Sequence, residues 1–306
     1  MSSSKENSLD NPFPIRTLSM ETGVNTVTLR AWERRYGLLK PTRTPKGHRL
    51  YCQSDIDTVR SIVQWIQKGV PVGKVKALLA NSEPEKAVGE EFERVEEDVW
   101  YLYRTQFLES ATAYQESKLL AAFQEVTTQY PVEIVVSQLI EPIMNDLARL
   151  DDNKTASRFF TSCLTKQVAV NLNFYRHQGK RNSKILVLNS ALDSAFWSGL
   201  MALLLQARGF DPIWLSDVHN PVQWQSLLTE LKPDKCLCVC ENVLPENIDK
   251  YMVHFGESDV PIVITGSEIW LTYKDTFKEF GDKIRVYPTS MDGVKTLRSS
   301  SGSGAE

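Results

Sequence analysis

The stretch TLRAWERRYGLLKPTRTPKGHRLY, residues 28–51, decides how this 306-residue chain is read. Its first half has helical spacing. Leu29, Trp32 and Tyr36 recur on one side and can pack inward, while Arg30 and Arg34 stand i,i+4 on another face. Its second half carries Pro41 and turns at Pro45-Lys46-Gly47 between two short extended segments. Upstream, Ile15 to Met20 spells a short helix, and Gly23 suits a left-handed turn position. Asn25 is a good N-cap for a helix over Thr26 to Tyr36. Two short helices across a glycine-containing turn make a helix-turn-helix, and the basic hairpin behind them is a wing.

The second helix of such a unit enters the major groove of duplex DNA, where a guanidinium can donate a forked pair to guanine O6 and N7. Arg30 and Arg34 suit that task, with Thr28 near the N-terminal end of the helix. Arg43, Lys46, His48 and Arg49 give the wing donors for phosphate oxygens, which set position and affinity rather than sequence preference. Downstream, Ser54 to Asp57 has the spacing of a capping box. It opens a helix with Ile56, Val59, Ile62, Val63 and Ile66 on its buried face. Gly69-Val70-Pro71 breaks that helix, and Val72, Val75, Leu78 and Leu79 continue in another.

Charge supports a polyanion partner for this segment alone. The whole chain has a net charge of −3, yet residues 12–80 hold 12 Lys/Arg against 4 Asp/Glu. That segment is at +8 and the remainder at −11, an asymmetry expected of a nucleic-acid-binding module on an acidic body. The polar start, MSSSKENSLDNP, lacks the apolar core of a secretory signal. No apolar run approaches the roughly 18 residues of a membrane span, so a cytoplasmic location is expected. Five cysteines in no framework spacing point to a reducing compartment.

Residues 81–91 read as a polar linker. From residue 90 to 178 the pattern is helical throughout. Val99, Leu102 and Phe107 belong to one helix, and Leu119, Leu120, Phe123 and Val126 to a second. A third starts at Pro131 and carries Val132 through Leu147, and a fourth carries Phe159 through Tyr175. Four helices suffice for a bundle. After residue 183, five short strands alternate with helices near 194–208, 221–231, 246–255 and 270–280. The strands are Ile185–Asn189, Ile213–Leu215, Lys235–Cys240, Ile262–Thr265 and Ile284–Tyr287. This alternation predicts a flavodoxin-like, doubly wound parallel sheet. The fold class is therefore α+β multidomain. A winged helix-turn-helix (12–80) is followed by a helical bundle (90–178) and an α/β domain (183–290), with disordered tails at 1–11 and 291–306.

Residues 13–80 resemble the MerR family. The versions Ala31-Trp-Glu-Arg-Arg-Tyr-Gly37 and Gly47-His-Arg-Leu-Tyr51 resemble its CarH/LitR/MlrA-like branch. The resemblance implies a transcription regulator that binds a pseudo-palindromic promoter site as a homodimer, with RNA polymerase at the promoter. It also implies control of matrix, biofilm or stress genes. Carried over position by position, it places Thr28, Arg30, Arg34 and Arg35 at or near the groove, and Arg43, His48, Arg49 and Tyr51 in the wing. Trp32 and Tyr36 are expected to be core or backbone-facing residues rather than base readers.

Light-responsive members of that branch hold cobalamin between bundle and sheet. Their signature, Asp/Glu-x-His-x-x-Gly, follows the first strand of the sheet. With Gly199 as anchor, Phe196 stands at the ligand position and Ser194 at the acidic one. The branch's bundle also carries a Trp followed nine residues later by Glu-His. Here Leu147 stands for the Trp, ahead of Ser157 and Arg158. No cofactor is therefore expected, and a light- or ligand-responsive corrinoid-binding repressor is the alternative. An altered ligand, a protein partner or no ligand at all remain open for the α/β domain.

Cys236, Cys238 and Cys240 alternate on one strand and so share a face. Burial in a core explains them better than a soft-metal site. The four histidines show no metal spacing. Val263 to Ser267 ends a strand in small residues, where ligands sit in open α/β sheets, though such an exit is also common without one. There is no glycine-rich dinucleotide fingerprint. No nucleophile, base and orienting group can be assembled, so an enzyme is not expected.

Overall fold

The computed structural model describes residues 11–80, 98–150, 154–174, 183–190, 195–218, 220–240 and 255–297. The chain divides into two compact units, one ending at Cys163 and the other starting at Leu164. The sequence places its first domain boundary at residues 81–91, which lie outside the described residues. The winged segment and the described residues up to Cys163 belong to one compact unit.

In the first unit, α1 (Ile15–Thr22) ends at Gly23, whose φ of 70° is the left-handed turn that the sequence requires. Asn25 then caps α2 (Thr26–Ala31), its Oδ1 accepting from the Val27 and Thr28 N–H groups at 2.9 and 2.8 Å. The helix continues as a wider π turn, Trp32–Tyr36, and stops at Gly37 with φ 60°. The wing strands β2 (Thr42–Arg43) and β3 (Arg49–Tyr51) are joined by β1 (Phe13–Pro14) in the order β1-β3-β2. Phe13 lies opposite Tyr51, and Arg43 opposite Arg49. The next helix, α3 (Gln53–Gln67), starts before the expected Ser54, because the Asp55 carboxylate accepts from the Cys52 N–H at 2.8 Å. Trp65 takes the buried place expected for Val63. The segment closes with α4 (Val72–Ala80), which buries Val72 and Val75.

The helical part comprises α5 (Val99–Thr112), α6 (Glu116–Gln129), α7 (Val132–Val135) with its π turn Val136–Ile140, α8 (Glu141–Leu150) and α9 (Thr155–Phe174). Pro131 precedes α7 as expected. Phe107, Phe123, Leu139, Ile143, Leu147 and Phe160 are buried. The rings of Phe107 and Phe160 meet edge to face at 6.2 Å.

The second unit holds a five-stranded sheet of β4 (Lys184–Asn189), β5 (Asp211–Trp214), β6 (Lys235–Val239), β7 (Ile262–Thr265) and β8 (Ile284–Tyr287). Its order is β5-β4-β6-β7-β8, and every pairing is parallel. Counted from the first strand this is 2-1-3-4-5, the flavodoxin-like order predicted from the alternation. On one face lie α11 (Pro221–Leu231) and α12 (Ser267–Phe277). There Trp224, Leu228, Ile269 and Phe277 pack with Leu186, Leu188 and all three strand cysteines. On the other face lie α10 (Ala195–Ala207) and α13 (Ser290–Thr296).

That last helix takes in the first residues of the expected tail at 291–306, which is thus corrected at 291–297. Thr289 caps it by accepting from the Asp292 N–H at 3.1 Å, and Met291, Val294 and Leu297 are buried. Gly293 lets α13 approach the sheet, since a Cβ there would stand 2.3 Å from the Thr265 methyl. Most of the expected helix at 246–255 lies outside the described residues, as do residues 1–10, 298–306, His177, Ser194 and His219. Among the described residues no helix is long and apolar enough to cross a membrane.

Candidate nucleic-acid interface

Asn25 fixes the start of α2, and the core fixes its rotation. Leu29 and Trp32 are fully buried. The opposite side of the helix and its π turn therefore carries Arg30, Arg34 and Arg35, and all three are exposed. The wing hairpin closes through Gly47, whose φ is 82° and whose N–H donates to the Thr44 carbonyl at 2.8 Å. His48 N–H donates to Thr44 Oγ1 at 3.0 Å. Arg43, Lys46 and His48 project from this hairpin as exposed side chains, and Arg49 is half-buried.

Two expected contact residues stand elsewhere. Thr28 has no exposed surface, and Tyr51 is 1% exposed. Among the described residues neither Thr28 Oγ1 nor the Tyr51 hydroxyl has a hydrogen-bond partner. Thr28 lies four residues before Trp32 and so falls on the same inward face. Tyr51 is covered because β1 pairs with β3 and sets Phe13 opposite it. Burial pushes its phenol up to about 12, with the Glu33 carboxylate adding to the rise. Tyr51 stands in the wing strand β3 as expected, but its side chain and that of Thr28 face the interior rather than the surface.

The helix also carries a residue that spacing alone does not single out. Glu33 Oε2 accepts from Arg49 Nε at 2.5 Å, and its Oε1 accepts from Arg43 Nη2 at 3.4 Å. The carboxylate thus joins the second helix to both wing strands. The signal was present only as a lone acid in an arginine-rich stretch, and its partners lie 10 and 16 residues away.

The inward side of the helix is tied to the end of α6. Trp32 Nε1–H donates to the Gln129 carbonyl at 2.8 Å, and the Tyr36 hydroxyl donates to Gln129 Oε1 at 2.6 Å. Gln129 Nε2 donates in turn to Glu125 Oε1 at 3.0 Å, which also accepts from the Tyr103 hydroxyl at 3.1 Å. Burial raises the Tyr36 phenol above its ordinary range, against the opposing pull of Arg35. Trp100 Nε1–H donates to the Ile66 carbonyl at 3.0 Å, and its ring lies 4.8 Å from that of Tyr130. Trp32 is thus internal to the first unit and Tyr36 half-buried beside it, on the side expected from the helical stripe.

Among the described residues, the second unit offers no axial ligand at the position where the resembled signature has one. Phe196, at the position where the resembled signature has its axial histidine, is 2% exposed and has no lone pair to give. Gly199 is explained by packing, because a Cβ there would stand 2.8 Å from Val168 Cγ1 and 2.9 Å from Trp214 Cζ2. Leu147, in place of the resembled Trp, is fully buried in the first unit. The strand exit at Thr265 and Gly266 is also built for packing. A Cβ on Gly266 would meet the Cys240 carbonyl oxygen at 2.5 Å. Thr265 Oγ1 hydrogen-bonds Ser290 Oγ at 2.9 Å. Cys236, Cys238 and Cys240 are buried in one core, and burial raises the Cys236 thiol to about 12. Among the described residues no group of three or more His, Cys, Asp or Glu side chains is placed to hold a metal ion.

Comparison with known proteins agrees with the N-terminal geometry. Residues 13–82 match the model of the MerR HTH family regulatory protein. The HTH-type transcriptional regulator MlrA of Salmonella typhimurium (strain SL1344) is 37% identical over 135 residues, 44% of this chain and 51% of that one. MlrA of Escherichia coli (strain K12) is 55% identical over 69 residues, 22% of this chain and 28% of that one. The HTH-type transcriptional repressor CarA of Myxococcus xanthus is 29% identical over 156 residues, half of each chain. The chain spans about half the length, or less, of these curated relatives. Residues 13–82 are a helix-turn-helix domain of the MerR family.

Proposed function

We propose that this protein is a sequence-specific DNA-binding transcriptional regulator that grips a pseudo-palindromic promoter site as a homodimer in the cytoplasm, with RNA polymerase at the same promoter. The observation that carries the reading is the joint exposure of Arg30, Arg34 and Arg35 on one helix beside the exposed Arg43, Lys46 and His48 of the wing. A helix with exposed guanidiniums can read guanine edges, while the hairpin neutralises phosphates and fixes the register. Twofold symmetry of the protein would be mirrored in two half-sites. Relatives described as a regulator and as a repressor support the same reading without fixing the sign of regulation.

Genome-wide footprinting, followed by titration of the recovered sites, tests this. Arg30→Ala or Arg34→Ala is expected to weaken specific binding by about 1–3 kcal/mol and to relax the preference at one base position. Lys46→Ala should instead weaken binding evenly across sequences and make the plot of log K against log salt shallower by about 1. Equal affinity of the unaltered protein for recovered and scrambled sites would overturn the proposal.

A further inference from the structure

Arg43 and Arg49 are direct cross-strand partners in the wing. Like charges directly opposite one another on a ladder repel. Apart from its ladder and the bonds of its turn at Thr44, β2 has no buried residue to anchor it, since both of its residues are exposed. Glu33 supplies what the pair lacks, with one carboxylate oxygen on each arginine. Its side chain is 14% exposed, against 24% for Arg49 and 54% for Arg43. A carboxylate on a surface that meets a polyanion is otherwise repulsive, so its presence there calls for a compensating role.

We infer that Glu33 is a positioning residue. It clamps Arg49, and with it the wing, at a fixed spacing from the readout helix, so that groove and phosphate contacts form together. This rests on the DNA-binding reading above. It also divides the wing arginines. Arg49 holds the clamp, and Arg43, more loosely paired and more exposed, is left to reach a phosphate. Preorganisation of this kind lowers the ordering cost of binding.

The two roles of a carboxylate predict opposite signs. As a bystander negative charge, its removal would tighten binding to DNA. As a clamp, its removal releases the wing and loses one or two phosphate contacts. Glu33→Ala in the full chain is therefore expected to bind a footprinted site about tenfold more weakly, with a salt slope shallower by about 1–2. Arg49→Ala should weaken binding by a similar factor and add little in the Glu33→Ala background, since residues acting through one interaction are not additive. Alanine favours helix, so folding should survive. If Glu33→Ala shows a lost thermal transition, Glu33→Gln removes the charge at constant shape and is judged by the same signs. Binding that is unchanged or tighter, or fully additive losses for the two residues, would overturn the clamp. Failure of the unaltered protein to bind any duplex would instead sink the function proposed for the domain.

Discussion

Trp32→Ala is expected to lower the unfolding free energy of the first unit by about 3–5 kcal/mol, the range for truncating a buried large aromatic. Trp32 has no exposed surface, so nearly all of its ring would leave a void. The indole also does a second thing. Gln129 is the last residue of α6, and carbonyls in the last turn of a helix have no partner within it. The Trp32 N–H donates to that carbonyl at 2.8 Å and so closes a helix end that its own backbone leaves open. Trp32→Phe separates the two effects. It keeps most of the apolar volume and removes the donor, and is expected to cost about 1–3 kcal/mol. Equilibrium denaturation followed by far-UV circular dichroism measures both. A loss below about 1 kcal/mol for Trp32→Ala would contradict an interior position. DNA affinity measured well below the new midpoint should change less than stability does, because the arginines lie on the opposite side of the helix.

The parts of this fold set by local periodicity were open to reading from sequence. Leu29, Trp32 and Tyr36 marked an inward stripe, and Gly23 and Asn25 marked the turn and cap. The five strands and their parallel order followed from short apolar runs alternating with helices. What escaped were features that depend on a distant partner. Phe13 and Pro14 form a strand too short to leave a pattern, yet their pairing with β3 is what buries Tyr51. Glu33 and Gln129 act through partners that no spacing rule connects. Thr28 is different, since its four-residue offset from Trp32 already put it on the buried face. The helix at Ser290–Thr296 also left a signal, in Met291, Val294 and Leu297 at three-residue intervals. Its serine- and glycine-rich neighbours hid that signal, and its glycine is there for close approach to Thr265.

Phe196→Ala is expected to destabilise the second unit by about 3–5 kcal/mol. The helix that carries Phe196 is buried almost all round, from Ser198 to Ala207 without interruption, as befits a helix with an apolar surface on every side. A residue 2% exposed on such a helix is part of the packing, whatever stands at that position in the proteins it resembles. Phe196→His sharpens the point. An imidazole at this site loses apolar contact and brings two nitrogens into an apolar setting, a loss of about 1–3 kcal/mol before any charge is considered. Burial disfavours the protonated form, so the folded-state pKa of that histidine would fall below its unfolded value of about 6.5. Below that value the unfolded state binds more protons than the folded one, and the variant loses further stability as pH drops. Unfolding measured at pH 7.5 and 5.5 should therefore show a larger gap between variant and unaltered protein at the acid end. A histidine variant matching the unaltered stability at both values would mean that the site is a roomy polar pocket, and the core reading of Phe196 would fall.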